Sequence, residues 1–263
     1  MLSLSTLQHN LWSIDFSSTK YLVIISDIAA LGLVSQNPDV TSSQLSSLFN
    51  LIKSCIPESC TVVVPSFTYR CSPTTPYSHE SSPSETGIFT EYIRNLPTSH
   101  RSLHPVFSFV ANGPEAEYLV SNISRHSYGY NSVPHRLLQN DALVLSLGRS
   151  PHRGNFFLHL AEVFSGVPYR YTKQLSIPVF CSGVQDHSIY FHFVKYADSD
   201  IIWDTNRVVE RMEQQKALIY YPAGVTGIWT YKSSSVFNIV TKILARNPYG
   251  LLAAPPCSKP WTH

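Results

Sequence analysis

The side chains best suited to chemistry in this chain are a histidine and a few carboxylates. His159 lies in Asn155-Phe156-Phe157-Leu158-His159-Leu160-Ala161-Glu162, and on a helix a spacing of three puts Glu162 beside it on one face. A carboxylate at that position could hold the imidazole. The plainer reading of the same pair is a core histidine satisfied by its helical neighbour. A second set of acids, Asp198 and Asp200, sits in Tyr196-Ala197-Asp198-Ser199-Asp200 after a predicted strand. Either could orient a distant imidazole as the third member of a catalytic triad does, although such a pair is also a common turn former. His104, fixed before Pro105, reads as a loop imidazole, and His79 and His126 read as solvated.

Other chemistries find little support. No HExxH or CxxC spacing occurs, so no metal site is expected, and neither a GxSxG elbow nor a P-loop is present. The five cysteines are odd in number and unpaired in pattern, which fits free thiols in a reducing cytoplasm. Of these, Cys71 lies in a loop and reads as exposed, but no base accompanies it at a spacing that would make it a nucleophile.

The elements that must position these groups are short. Buried strands are predicted at Tyr21 to Ile25, Thr61 to Pro65, Ala142 to Leu147, Ser188 to Lys195 and Ala217 to Tyr221. Between them, helices are predicted at Thr41 to Cys55, Gly87 to Leu96, Pro114 to Ser121, Asn155 to Phe164, Asp204 to Gln214 and Ser234 to Arg246. This alternation implies an α/β fold, a mixed sheet flanked by helices. Tyr69 to Ser84, rich in Pro, Ser and Thr, reads as a long loop between a strand and a helix, where α/β folds place ligand crevices. No repeat or boundary divides the chain, so residues 1–252 are expected to form one domain, with 253–263 an extended tail.

Composition narrows the partners. Lys+Arg 19 against Asp+Glu 17 leaves a formal charge of +2, too little for the basic surface that nucleic-acid binding needs. No apolar run reaches the roughly 20 residues that span a bilayer, and the first residues lack the pattern of a signal peptide. A cytoplasmic protein without a membrane partner is expected.

Several ordered segments resemble the aminoglycoside 3-N-acetyltransferase family, the antibiotic N-acetyltransferases. The first are Ile25-Ser26-Asp27-Ile28-Ala29-Ala30-Leu31-Gly32 and Val64-Pro65-Ser66-Phe67-Thr68, followed by Ser82-Pro83-Ser84-Glu85-Thr86-Gly87. Next come Glu91-Tyr92-Ile93-Arg94 and the specific string Arg101-Ser102-Leu103-His104-Pro105-Val106-Phe107-Ser108-Phe109. Gly148, the Asn155 to Glu162 segment and Val167-Pro168-Tyr169-Arg170-Tyr171 complete the likeness. It implies the antibiotic N-acetyltransferase fold and direct acetyl transfer from acetyl-CoA to a primary amine. His159 then stands at the family's catalytic histidine, Glu162 at its glutamate, and Asp198 or Asp200, with Asp200 favoured, where the family carries acids after this strand. Arg101 and Ser102, with His104 in the same string, become CoA contacts by implication. Ser66, Thr68 and Ser108 become candidates to face the thioester oxygen.

The departures bear on the acceptor. The loop after Thr68 reads Tyr69-Arg70-Cys71-Ser72-Pro73, without the acids that would steer a polycationic drug, and Phe156-Phe157 replaces the family's paired threonines. With Tyr69, Tyr77 and Tyr171, these aromatics suit stacking on a sugar or a nucleotide base. The acceptor expected on this ground is an amino sugar, nucleotide-linked and bound for a surface polysaccharide. The alternatives are an aminoglycoside and a non-catalytic carbohydrate-binding relative.

Overall fold

A computed structural model describes residues 4–33, 38–197 and 200–257. Its centre is a seven-stranded sheet. In spatial order the strands are Leu218–Tyr221, Ile228–Lys232, Leu143–Leu147, Tyr21–Ser26, Thr61–Pro65, Phe109–Asn112 and Ser99–Arg101. The middle three run parallel, with Leu22 opposite both Val62 and Leu143, and the outer strands are antiparallel to their inner neighbours. Parallel strands are covered on both faces, which is why Tyr21–Ser26 is an unbroken buried run rather than an alternating one.

Side-chain alternation divides the core in two. Tyr21, Val23 and Ile25 face one layer with Leu137, Leu160, Val208 and Val240 from the helices Val133–Gln139, Phe156–Ser165, Asn206–Gln214 and Ser233–Arg246. Leu22 and Ile24 face the other, with Leu11, Leu48 and Phe89 from Leu4–Trp12, Pro38–Cys55 and Ile88–Arg94. The mixed sheet flanked by helices thus follows the expected architecture.

Some elements differ from the expectation. Tyr190–Lys195 forms a separate antiparallel ribbon with Arg170–Leu175, Phe193 opposite Thr172, instead of joining the main sheet. The helices Leu4–Trp12 and Val133–Gln139 and the strands Phe109–Asn112 and Ile228–Lys232 have no counterpart among the expected elements. The Tyr69 to Ser84 stretch is irregular except for Tyr77–Ser78, which joins Val179–Cys181 and Val184–Asp186 in a three-stranded sheet. Among the described residues no helix is long and apolar enough to cross a membrane.

One close approach fixes the chain just past a parallel strand. Gly148 follows Leu143–Leu147 at φ 74, and a Cβ there would lie 2.3 Å from the Asp27 carbonyl oxygen. Only glycine meets both demands, so the chain can turn there toward the helix that carries His159.

Candidate active site

That helix, Phe156–Ser165, is apolar on most of its surface and buries Phe157, Leu160 and Ala161 completely. It ends at Gly166 in the left-handed conformation, φ 62 and ψ 43, whose N–H reaches back to the Val163 carbonyl. The reversal brings Arg170 against the helix it has just left.

His159, Glu162 and Arg170 are brought together. The Glu162 carboxylate, 0% exposed, has Oε2 at 2.7 Å from His159 Nδ1 and 3.0 Å from Arg170 Nε. An ionised carboxylate only accepts, so Nδ1 carries the proton and Nε2 is left as the basic nitrogen. The Arg170 side chain is only 9% exposed and stacks on Trp203, with 4.8 Å from guanidinium carbon to ring centroid. The His159 ring stands edge to face with Trp203 at 5.3 Å and Tyr128 at 5.7 Å, and its side chain remains 31% exposed. Burial, then the Arg170 charge, push the imidazole below its ordinary value, against the opposing pull of Glu162. Both effects favour the neutral imidazole.

The exposed edge of His159 opens on a cleft of about 550 Å³. Phe67, Phe107, Tyr128 and Trp203 form its aromatic walls, and Arg153, His152 and Tyr69 also line it. Phe67 follows one parallel strand and Asn155 follows another, so the cleft lies beyond the carboxyl ends of the parallel strands, the usual ligand position in α/β sheets. Asn155 occupies the N-cap position of the histidine helix without a side-chain capping bond, and its buried side-chain oxygen Oδ1 has no partner.

The remaining expected site residues lie elsewhere. Arg101 spends all its N–H groups inside the protein: Nε donates to Ser108 Oγ at 3.1 Å, Nη1 to the His79 and Ser82 carbonyls, and Nη2 to the Ser66 carbonyl and Thr68 Oγ1. Ser102 Oγ accepts from the Phe109 N–H at 2.8 Å, and Ser108 Oγ donates to the Ser66 carbonyl. His104 Nδ1 accepts from the Val106 and Phe107 N–H groups while Nε2 donates to the Phe191 carbonyl at 3.1 Å. Thr68 Oγ1 donates to the Pro83 carbonyl, and Ser66 is fully buried. None of the six lines the cleft. The side chains expected to contact CoA or face the thioester oxygen hydrogen-bond to the loops behind the cleft wall; alternation past Thr61–Pro65 sends Phe67 into the cleft and Ser66 and Thr68 away from it.

The carboxylate paired with His159 is Glu162, whereas Asp200 accepts from the Cys257 N–H at 3.1 Å. Asp198 lies outside the described residues. Tyr69 and Phe156 line the cleft; Tyr77 and Phe157 are fully buried, and Tyr171 packs on Tyr196. Neither His79 nor His126 is free in solvent: His79 Nε2 donates to the Arg101 carbonyl and His126 Nε2 pairs with Thr172 Oγ1. Cys71 packs beside the Tyr77, Val179 and Tyr190 cluster, and burial pushes its thiol up. Sequence reasoning passed over Arg170, Trp203, Tyr128 and His192, which meet only through long-range packing.

A consequence for stability follows. Burial pushes His104 down to about 4, and burial, then the closeness of His104, His159 and Arg170, pushes His192 down to about 3. Unfolded, both titrate near 6.5, so below that pH the unfolded chain binds more protons and stability falls as pH falls. The expected slope is about 1.4 kcal/mol per pH unit per histidine until each folded value is reached. Urea midpoints at about pH 7.5 and about pH 5 measure it, and equal midpoints would refute it.

The family model for aminoglycoside 3-N-acetyltransferases matches residues 25–245. This chain belongs to that family. Aminoglycoside N(3)-acetyltransferase IV of Salmonella sp is 32% identical over 148 residues, 54% of this chain and 52% of that protein. The aligned part thus spans about half the length of that relative. The aminoglycoside acetyltransferase AAC(3)-IVa apoenzyme superposes with a TM-score of 0.73 at 22% identity, covering 95% of this chain and 91% of that one. The AAC-IIIb binary complex with CoASH gives 0.75 at 15% identity, covering 92% and 96%. The aminoglycoside 3-N-acetyltransferase fold extends over nearly the whole chain.

Proposed function

We propose that this chain is an acetyl-CoA-dependent N-acetyltransferase of the aminoglycoside 3-N-acetyltransferase type, with His159 as general base. The observation that carries this reading is the 2.7 Å contact between His159 and a fully buried Glu162 at the edge of a cleft, in a chain of this family. Acetyl-CoA, when bound, supplies the acetyl thioester. The aromatic walls suit its apolar arm, and Arg153 with His152 suits its phosphates.

The chain's own groups account for the proton. As the acceptor nitrogen bonds to the acetyl carbon and the carbon–sulfur bond breaks, His159 Nε2 takes the proton from nitrogen and passes it to the departing sulfur. Glu162 keeps Nδ1 protonated and stabilises the transient imidazolium; Arg170 holds the carboxylate in place. The N-terminus of the histidine helix starts at the cleft; the Leu158 N–H bonds the Asn155 carbonyl, and the N–H groups before it suit the charge growing on the thioester oxygen.

The relatives' names support an aminoglycoside as acceptor, and nothing in them supports an amino sugar of polysaccharide synthesis. One feature favours that second reading: the cleft lining includes Arg153 and Arg170 with three histidines and, among the described residues, no Asp or Glu. Thiol release from acetyl-CoA across aminoglycosides, amino sugars and sugar nucleotides tests both. Turnover of aminoglycosides alone is expected. Turnover of sugar nucleotides alone would reverse the choice of acceptor, and no release with any amine would overturn the enzyme.

A further inference from the structure

Away from the cleft, the three-stranded sheet brings together side chains far apart in sequence. His79 and Glu80 follow Tyr77–Ser78, and Cys181 ends Val179–Cys181. Cys181 Sγ lies 3.9 Å from His79 Nδ1 and 3.6 Å from Glu80 Oε1, and those last two atoms are 3.7 Å apart. Ligands of a tetrahedral zinc ion, at about 2.0–2.3 Å from the metal, are about 3.3–3.8 Å from one another. The triangle already has nearly the edges of one face of such a tetrahedron.

The orientation agrees with the spacing. His79 donates its other ring N–H, at Nε2, to the Arg101 carbonyl at 2.9 Å, which leaves the Nδ1 lone pair directed toward the sulfur and the carboxylate. Metal-ligating histidines are held in this way by a carbonyl or carboxylate on the far nitrogen. Glu80 Oε1 is steadied by the Ser182 N–H at 2.8 Å, and Arg101 donates back to the His79 carbonyl. Glu80 is half exposed and His79 partly so, which gives an ion a way in.

The geometry points to a zinc-class divalent cation site formed by His79 Nδ1, Cys181 Sγ and a Glu80 carboxylate oxygen, with water as the fourth ligand. Thiolate with imidazole selects zinc over magnesium or calcium, which prefer oxygen ligands. On binding, the Cys181 thiol releases its proton to water as the sulfur–metal bond forms. None of the three residues lines the cleft, so the ion is structural, tying two segments 102 residues apart, and its presence does not depend on the acetyl-transfer reading.

Full-length protein stripped with EDTA and desalted is titrated with zinc against a chromophoric chelator, and with cobalt. One ion per chain is expected, with a thiolate-to-cobalt charge-transfer band and a higher melting temperature in the presence of zinc. Changes to outer-shell partners of metal sites commonly weaken binding about 10–100-fold, so loss of a ligand in Cys181→Ser or His79→Gln is expected to cost at least about 100-fold. Glu80→Gln, which removes a ligand charge at an exposed position without threatening the fold, is expected to weaken zinc binding, and Cys71→Ser is expected to bind as wild type. Absence of stoichiometric binding, or unchanged zinc affinity in Cys181→Ser with a matching circular dichroism spectrum, would overturn the site.

Discussion

Replacing His159 by alanine is expected to lower kcat for acetyl transfer about 10²–10⁴-fold, the usual contribution of a positioned general base. The neutral imidazole is held by Glu162 through Nδ1, so Nε2 is the basic atom at the cleft, and among the described residues lining the cleft no carboxylate stands by to replace it. The fold is expected to survive, because the Glu162–Arg170 ion pair persists and the side chain removed is 31% exposed. Wild-type kcat/KM is expected to rise through the depressed imidazole value on the acid side and then level, and the variant is expected to lose that limb. A variant within about threefold of wild type at neutral pH would remove His159 from the reaction.

The second large effect belongs to Glu162. Its removal in Glu162→Ala leaves the Arg170 guanidinium buried without its counter-ion, a change that costs about 3–5 kcal/mol when a buried pair is broken. Glu162→Gln separates chemistry from folding, because the amide keeps the shape and can still accept from Nδ1. Glu162 is the influence that raises the imidazole, opposing burial and Arg170. Without its charge the His159 value falls further, so the acid limb of the pH profile is expected to move to lower pH while the plateau drops. A purely structural role would lower the melting temperature and leave the limb in place, and that outcome would refute the positioning role.

How much of this was legible depends on the range over which each feature is decided. The strands at Tyr21–Ser26, Thr61–Pro65 and Leu143–Leu147 declare themselves as short apolar runs. Tyr190–Lys195 looks the same locally, yet it pairs outside the main sheet, since strand partnership is a long-range choice. Arg101 shows the limit most plainly. Its residue type suits phosphate, and the sequence places it in the string that most resembles the family. Only the folded chain reveals that five acceptor atoms of the protein already surround it.

By itself, then, the sequence determined the α/β layering and that Glu162 lies within reach of His159, because a helical turn sets the distance between residues three apart whatever surrounds it. Tertiary structure alone decided that Glu162 rather than Asp200 serves the imidazole, that Arg170 and Trp203 close over the carboxylate, and that His79, Glu80 and Cys181 meet. Those outcomes depend on which groups share a buried, low-dielectric space, and chain reversals and strand partners set that space where sequence spacing does not.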